Sequence, residues 1–242
     1  MKLSKMFWYC AGGITYETVG NNVNYAFLEE DDTLYIFFQG SSSTTDWIRN
    51  FLFKKKPYED MQIPYKVHRG FLSAWKEVQP IIIDKILERE ETTDKIDYTT
   101  FDGEGNYKKD SINNIPKYKW KHVVVIGYSH GGALAAFCHE CVWFYREDLR
   151  EEGLEGYGFE APRIYGSFKV REELKERWAT FTVVRTNNDI VTHCPPRLFG
   201  FCHVGSILEI KGDNNLVEKN LPPCVKSHYP QVVYWALIDY EK

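Results

Sequence analysis

No stretch of this 242-residue chain is apolar over the ~20 residues that a membrane-spanning helix needs. A bilayer-spanning segment is therefore excluded from the reading. Charge of one sign is not in excess either. Thirty Lys and Arg stand against 34 Asp and Glu, a net charge of −4, which gives no reason to expect a nucleic-acid partner. No internal repeat divides the chain. The N-terminus also reads as a poor secretory leader. The first residues carry Lys2 and Lys5, but the apolar piece from Met6 to Ala11 is too short for one. The expectation is a cytosolic protein, or a secreted one whose leader has been removed. Cysteine is present without a framework. The six cysteines could pair, but a chain of this length folds without staples. Cys138 and Cys141 lie three apart beside His139, yet no second pair repeats that spacing. They read as buried free thiols, and neither a metal nor a cofactor is expected.

What is there is a globular pattern. Aromatic residues make up 16% of the chain, enough to supply a large core or an apolar cleft. Residues 23–29 and 33–38 alternate as strands joined at Glu30-Asp31-Asp32. A helical pattern runs from Phe71 to Glu91, with Pro80 inside it predicting a kink or a split. Residues 92–119 are polar and read as a surface insertion built on a hairpin. Strand 122–126, helix 132–147, strand 157–160, a helical segment near 168–177, strand 179–185 and strand 203–210 follow. A last helix begins near Ser227. Strands alternating with helices predict one α/β domain over 1–242 with a mainly parallel sheet.

Residues 127–132 read Gly-Tyr-Ser-His-Gly-Gly directly after Val123-Val124-Val125-Ile126 and before a helix-like stretch. A Gly-x-Ser-x-Gly at a strand-to-helix turn exposes its serine hydroxyl and aims free helix N–H groups at it. Ser129 is therefore the candidate nucleophile. A serine hydroxyl needs a base, and the base needs a carboxylate to orient it. Asp189 follows the strand 179–185, at the carboxyl end where sites in such sheets form. Three downstream histidines compete as base: His193, His203 and His228. His203 opens a predicted strand, whereas His228 lies on a loop after Pro222-Pro223, which favours it. His130 points away from Ser129, but its backbone N–H is the natural first donor to an oxyanion. Gly40-Ser41-Ser42-Ser43 follows a strand and is placed to supply a second donor.

These motifs, taken in order, resemble the class 3 lipases, the fungal triacylglycerol lipase type of α/β hydrolase. Phe38-Gln39-Gly40-Ser41 looks like the family's oxyanion segment, with Gln39 in place of the usual Arg. Val67-His68-Arg69-Gly70-Phe71 looks like its His-x-Gly-Phe. Phe159-Glu160-Ala161-Pro162-Arg163 looks like its Phe-Gly-x-Pro-Arg. Asn188 to Pro196 looks like its Asn-Asp-Ile-Val-Pro-His-Leu-Pro-Pro, Phe201 to Gly205 resembles its His-x-Gly strand start, and Ser227-His228 resembles its final Asp-His. The usual elbow has His and Leu where Tyr128 and His130 stand.

The resemblance implies an α/β-hydrolase fold, with helices on both faces of the sheet. It implies Ser129, Asp189 and His228 as catalytic residues and structural places for His193 and His203. Ser41 and His130 would form the oxyanion hole, with Asn50 supporting it. It also implies a lid over 44–60, in which Trp47, Ile48, Phe51 and Leu52 share one helical face and Lys54-Lys55-Lys56 favour an anionic interface. The expected activity is hydrolysis of a carboxylic ester, an acylglycerol or other lipid ester, at a lipid–water interface. A phospholipid acyl hydrolase would use the same groups, and a silent lipid- or partner-binding relative would lack one of them.

Overall fold

A computed structural model of the chain describes residues 1–20, 23–40, 53–91, 95–101, 107–113 and 116–242. Ser41, Asn50 and the 44–52 part of the expected lid lie outside the described residues. Eleven strands are described: β1 (Glu17–Val19), β2 (Val23–Glu30), β3 (Thr33–Phe38), β4 (Lys55–Tyr58), β5 (Tyr65–His68), β6 (Lys95–Phe101), β7 (Tyr107–Asn113), β8 (His122–Tyr128), β9 (Leu154–Phe159), β10 (Phe181–Thr186) and β11 (Ser206–Ile210). The α-helices are α1 (Leu3–Trp8), α2 (Arg69–Ile86), α3 (His130–Tyr145), α4 (Pro223–Lys226) and α5 (Pro230–Tyr240).

Seven strands form one sheet in the order β1-β2-β3-β8-β9-β10-β11. The β1-β2-β3 edge is antiparallel, and every pair from β3 onward is parallel. Alternation along the central strands splits the core into two halves. Leu34, Ile36, Phe38, Val123 and Val125 face one side, with α2 and α3. Tyr35, Phe37, Val124, Ile126 and Tyr128 face the other, with α1 and α5. Period-two side chains on strands that are buried on both faces make this inevitable. Both faces are covered by helices, which is the α/β-hydrolase arrangement.

Several expectations change. The helix α2 runs unbroken through Pro80 and ends at Ile86. Pro80 and Lys76, whose carbonyl loses its partner, are both on the exposed face, where water can serve that carbonyl. Residues Lys55–Tyr58, the far end of the expected lid, form a strand paired with β5. The segment expected to be helical near 168–177 is a 3₁₀ turn at Glu172–Trp178, and the strand expected to open at His203 begins at Ser206. The N-terminal apolar piece is part of the fold. Met6, Phe7 and Cys10 are buried, and the Phe7 ring meets Tyr128 at 5.2 Å and Phe159 at 5.3 Å. The 92–119 insertion carries the antiparallel hairpin β6–β7. All six cysteines are free thiols. His139 beside two of them bonds the Arg177 carbonyl and the Thr180 hydroxyl, at 3.0 Å each.

Candidate active site

The turn from β8 into α3 carries Ser129 at φ 55°, ψ −120°, a strained conformation for a non-glycine residue. Its neighbours must be small for this turn to close. A Cβ on Gly127 would lie 2.0 Å from the Gly131 carbonyl oxygen, and one on Gly131 would lie 2.2 Å from that of Phe38. Backbone bonds fix the turn. The Ser129 N–H donates to the Phe159 carbonyl at 2.8 Å, and the Ser129 carbonyl accepts from Gly132 N–H at 2.9 Å. His130 is the first residue of α3, so its own N–H has no partner within the helix. Its imidazole packs near the Phe71 ring, and burial lowers its pKa to about 4, so it is neutral.

Three side chains far apart in sequence meet at this turn. Ser129 Oγ lies 2.8 Å from His228 Nε2, and His228 Nδ1 lies 2.6 Å from Asp189 Oδ2. All three are buried. Asp189 Oδ1 accepts the Val191 N–H at 2.8 Å. Burial alone would raise the Asp189 pKa, but the neighbouring His228, the hydrogen bonds from His228 and Val191 and the nearby Glu160 carboxyl outweigh it, and the carboxyl is held below its ordinary value. An ionised Asp189 requires the proton on Nδ1, which leaves Nε2 to accept from the serine hydroxyl.

Loops place Asp189 and His228, and each is tied down. The His228 carbonyl accepts the Tyr128 hydroxyl, and the Tyr128 ring stacks on the imidazole at 5.2 Å and 20°. The Thr186 hydroxyl donates to the Ser227 carbonyl at 3.1 Å, and the Ile190 N–H to the Cys224 carbonyl at 3.1 Å. These bonds clamp the acid loop to the histidine loop. Gly40, two residues after β3, lies against Tyr128, where a Cβ would come within 2.9 Å of the ring. The segment leading to Ser41 thus starts beside the elbow.

His193 and His203 do other work. His193 Nδ1 bonds the Asp189 carbonyl and His203 Nε2 the Thr192 carbonyl, each at 2.8 Å. Both brace the acid loop's backbone. Burial, the largest cause, takes the His203 pKa down to about 3.

One neighbour escaped the sequence. Glu160 is fully buried at φ 49°, and its Oε1 accepts the Thr186 N–H at 2.7 Å. Atoms of Glu160, Asp189 and His228 lie within 4.8 Å of one another, a spacing that a cation could bridge. Yet both Asp189 oxygens and both His228 nitrogens already have partners. The donor set is committed to protons. Only the unusual glutamate in the Phe-Gly-x-Pro-Arg-like stretch could have signalled this neighbour, and it reads there as an ordinary strand end.

A buried chain of hydroxyl, imidazole and carboxylate, beside free helix N–H groups, is equipped for acyl transfer. Comparison with known proteins points the same way. The family model of class 3 lipases matches residues 35–199. A lipase of Rhizomucor miehei is 31% identical over 183 residues, 73% of this chain and 41% of the relative. A protein of Fusarium solani named as a secreted mono- and diacylglycerol lipase is 26% identical over 172 residues, 70% of this chain and 41% of the relative. The chain thus spans about two fifths of the length of these curated relatives. The solved structure of the Rhizomucor miehei triacylglyceride lipase superposes with a TM-score of 0.60 at 27% identity, covering 84% of this chain and 67% of that one. The family match extends over well more than half of the sequence, and the chain belongs to the class 3 lipase family.

Proposed function

We propose that the chain hydrolyses carboxylic esters of lipids through an acyl-enzyme on Ser129. His228 Nε2 takes the hydroxyl proton as Ser129 Oγ attacks the ester carbonyl. The tetrahedral oxyanion is held by the His130 N–H and by Ser41, with Asn50 supporting it. Collapse expels the alcohol, which takes the proton from His228. Water then repeats the sequence and releases the acid. Asp189 orients the imidazole and stabilises its charged form throughout. The observation that carries this reading is the continuous Ser129–His228–Asp189 hydrogen-bond chain.

The surface favours a lipid substrate. Phe53 stacks on Phe199 at 5.0 Å, and Leu198, Phe199 and Phe168 are exposed nearby in sequence or space. Lys55 sits over the Phe201 ring at 5.0 Å. Rings of Phe201, His68, Phe71 and His130 then follow one another at 5.9, 4.5 and 5.6 Å, from this patch to the elbow. An apolar patch edged with a cation suits a lipid–water interface. The acylglycerol class is supported by the names of the Fusarium solani relative and of the neighbouring structure. No helix among the described residues is long and apolar enough to cross a membrane. The cytosolic expectation finds no support among the relatives, one of which is named as secreted, and we favour a secreted setting.

The direct test measures hydrolysis of p-nitrophenyl butyrate, a triacylglycerol emulsion and phosphatidylcholine vesicles. Ester hydrolysis that rises once the triacylglycerol forms an interface supports the reading. A folded protein inert on all three overturns it, and preference for the vesicles moves the substrate to phospholipid.

Tyr128→Phe tests the clamp on the base. The ring and its stacking remain, and only the bond to the His228 carbonyl is lost. Burial raises the phenol pKa well above its ordinary value, as does the charge of Asp189, so it is a permanent donor. Its loss should cost about 1 kcal/mol of stability and reduce kcat several-fold. Unchanged kcat and melting temperature would show that the clamp is idle.

A further inference from the structure

We propose that Glu160 is a positioning residue of the triad, a neutral carboxylic acid that shares its proton with the Asp189 carboxylate and so fixes how strongly Asp189 holds His228. The kinetic part of this inference rests on the hydrolase reading. The structural part does not.

Three observations carry it. Glu160 sits at φ 49°, in the left-handed region, where the family-like pattern has glycine and where a side chain is strained. It is nevertheless a large residue, fully buried. Its Oε1 is satisfied by the Thr186 N–H, whereas its buried Oε2 has no hydrogen-bond partner among the described residues. That leaves a carboxyl oxygen free for a proton, on a carboxyl group that has an oxygen within 4.8 Å of the Asp189 and His228 ligand atoms. A fold that keeps a strained, buried, half-satisfied carboxyl beside another carboxyl invites a functional account.

Two carboxyls this close in a water-poor interior do not both ionise. The hydrogen bonds decide which one keeps the proton. Asp189 receives donors from both His228 Nδ1 and Val191. Glu160 receives one, from Thr186. Burial pushes the Glu160 acid well above its ordinary value, and the Asp189 charge pushes it further. Asp189, by contrast, is held low. The other titratable groups acting on the pair are His228, the Tyr128 phenol and the Cys194 thiol. Burial raises the phenol and the thiol, and the Asp189 charge raises both again, so they stay protonated at neutral pH.

The consequence is specific. An Asp189 that accepts the Glu160 proton has less charge to offer His228. Without that proton, Asp189 would hold the imidazolium more tightly, and the acid limb of kcat/KM would move to higher pH.

Two variants separate this role from a structural one. Glu160→Gly relieves the backbone strain, so its melting temperature should be equal to or higher than that of the parent. Its acid limb should move up, and kcat/KM measured on that limb should fall with it by about tenfold, because less of His228 is then the free base. Glu160→Gln retains an N–H donor toward Asp189, so it should keep kcat/KM within about threefold, and the parental acid limb. Infrared difference spectra at neutral pH should show a carboxylic-acid C=O band in the parent and none in Glu160→Gln. The proton resonance of His228 Nδ1–H should move in Glu160→Gly and stay in Glu160→Gln. A Glu160→Gly protein with the parental pH profile and resonance overturns the proposal. So does a parent lacking the Glu160-dependent band. If the parent hydrolyses nothing, the hydrolase reading has failed, and the two spectroscopic arms still decide on the shared proton.

Discussion

Ser129→Ala should remove the proposed ester hydrolysis and leave the fold standing. The expected loss in kcat is at least about 10³-fold, since the alanine can form no acyl intermediate and only binding and the oxyanion donors remain. The fold survives because the turn is held by backbone groups. The Ser129 N–H bond to Phe159 and the carbonyl bond from Gly132 do not involve the hydroxyl. Only the bond to His228 is lost, costing about 1 kcal/mol, or roughly 2–4 °C in a chain of this size. Activity measured alongside circular dichroism checks both halves. A folded Ser129→Ala protein that still hydrolyses p-nitrophenyl butyrate would remove Ser129 as nucleophile.

Arg177→Met should produce the largest loss of stability among single changes away from the site. Arg177 is buried, and its guanidinium donates to Glu140 Oε1 at 2.5 Å and to the Met61 carbonyl at 2.8 Å. Glu140 lies fully buried in the middle of α3 and accepts the Tyr65 hydroxyl with its other oxygen. Removing one partner of such a pair leaves the other uncompensated and costs about 3–5 kcal/mol, or roughly 10 °C. The cost depends on pH in a definite direction. Burial raises the Glu140 pKa to about 7, although Tyr65 and Arg177 pull it down. A raised carboxyl binds its proton more tightly folded than unfolded. Its stabilising contribution is therefore whole below the ordinary value of 4.5 and is lost as pH climbs through 7. Without Arg177 the value rises further, so Arg177→Met should lose more at pH 8 than at pH 6. Thermal melts of parent and variant at both pH values test this. A variant melting within about 2 °C of the parent at both would refute the argument.

The strand-to-helix core was legible in the sequence because its signals are local. Val123 to Ile126 alternate between two faces, and the glycines at 127 and 131 mark a turn that admits no Cβ. The parts that escaped depend on distant chain segments. Pro80 reads as a breaker until its exposed face is known. The Met6-Phe7 piece reads as a weak leader until Phe7 is seen against Tyr128. Three histidines compete for one role in the sequence. Their hydrogen bonds differ only once the loops pack, with His193 and His203 on backbone carbonyls and His228 between Ser129 and Asp189. Glu160 shows in the sequence only as an unusual residue in its motif, because its meaning lies in Thr186, 26 residues onward, and in Asp189 just beyond it. Ser41, Asn50 and the 44–52 segment are outside the described residues, and their roles stand as proposals.

One measurement bears most directly on the acyl-enzyme at Ser129. The protein is treated with a p-nitrophenyl alkylphosphonate, which transfers its phosphonyl group to an activated serine, and the adduct is mapped by peptide mass spectrometry. One adduct per chain on Ser129 is expected, with labelling suppressed in His228→Ala. A folded protein that stays unlabelled, or carries the adduct on another residue, would contradict the assignment.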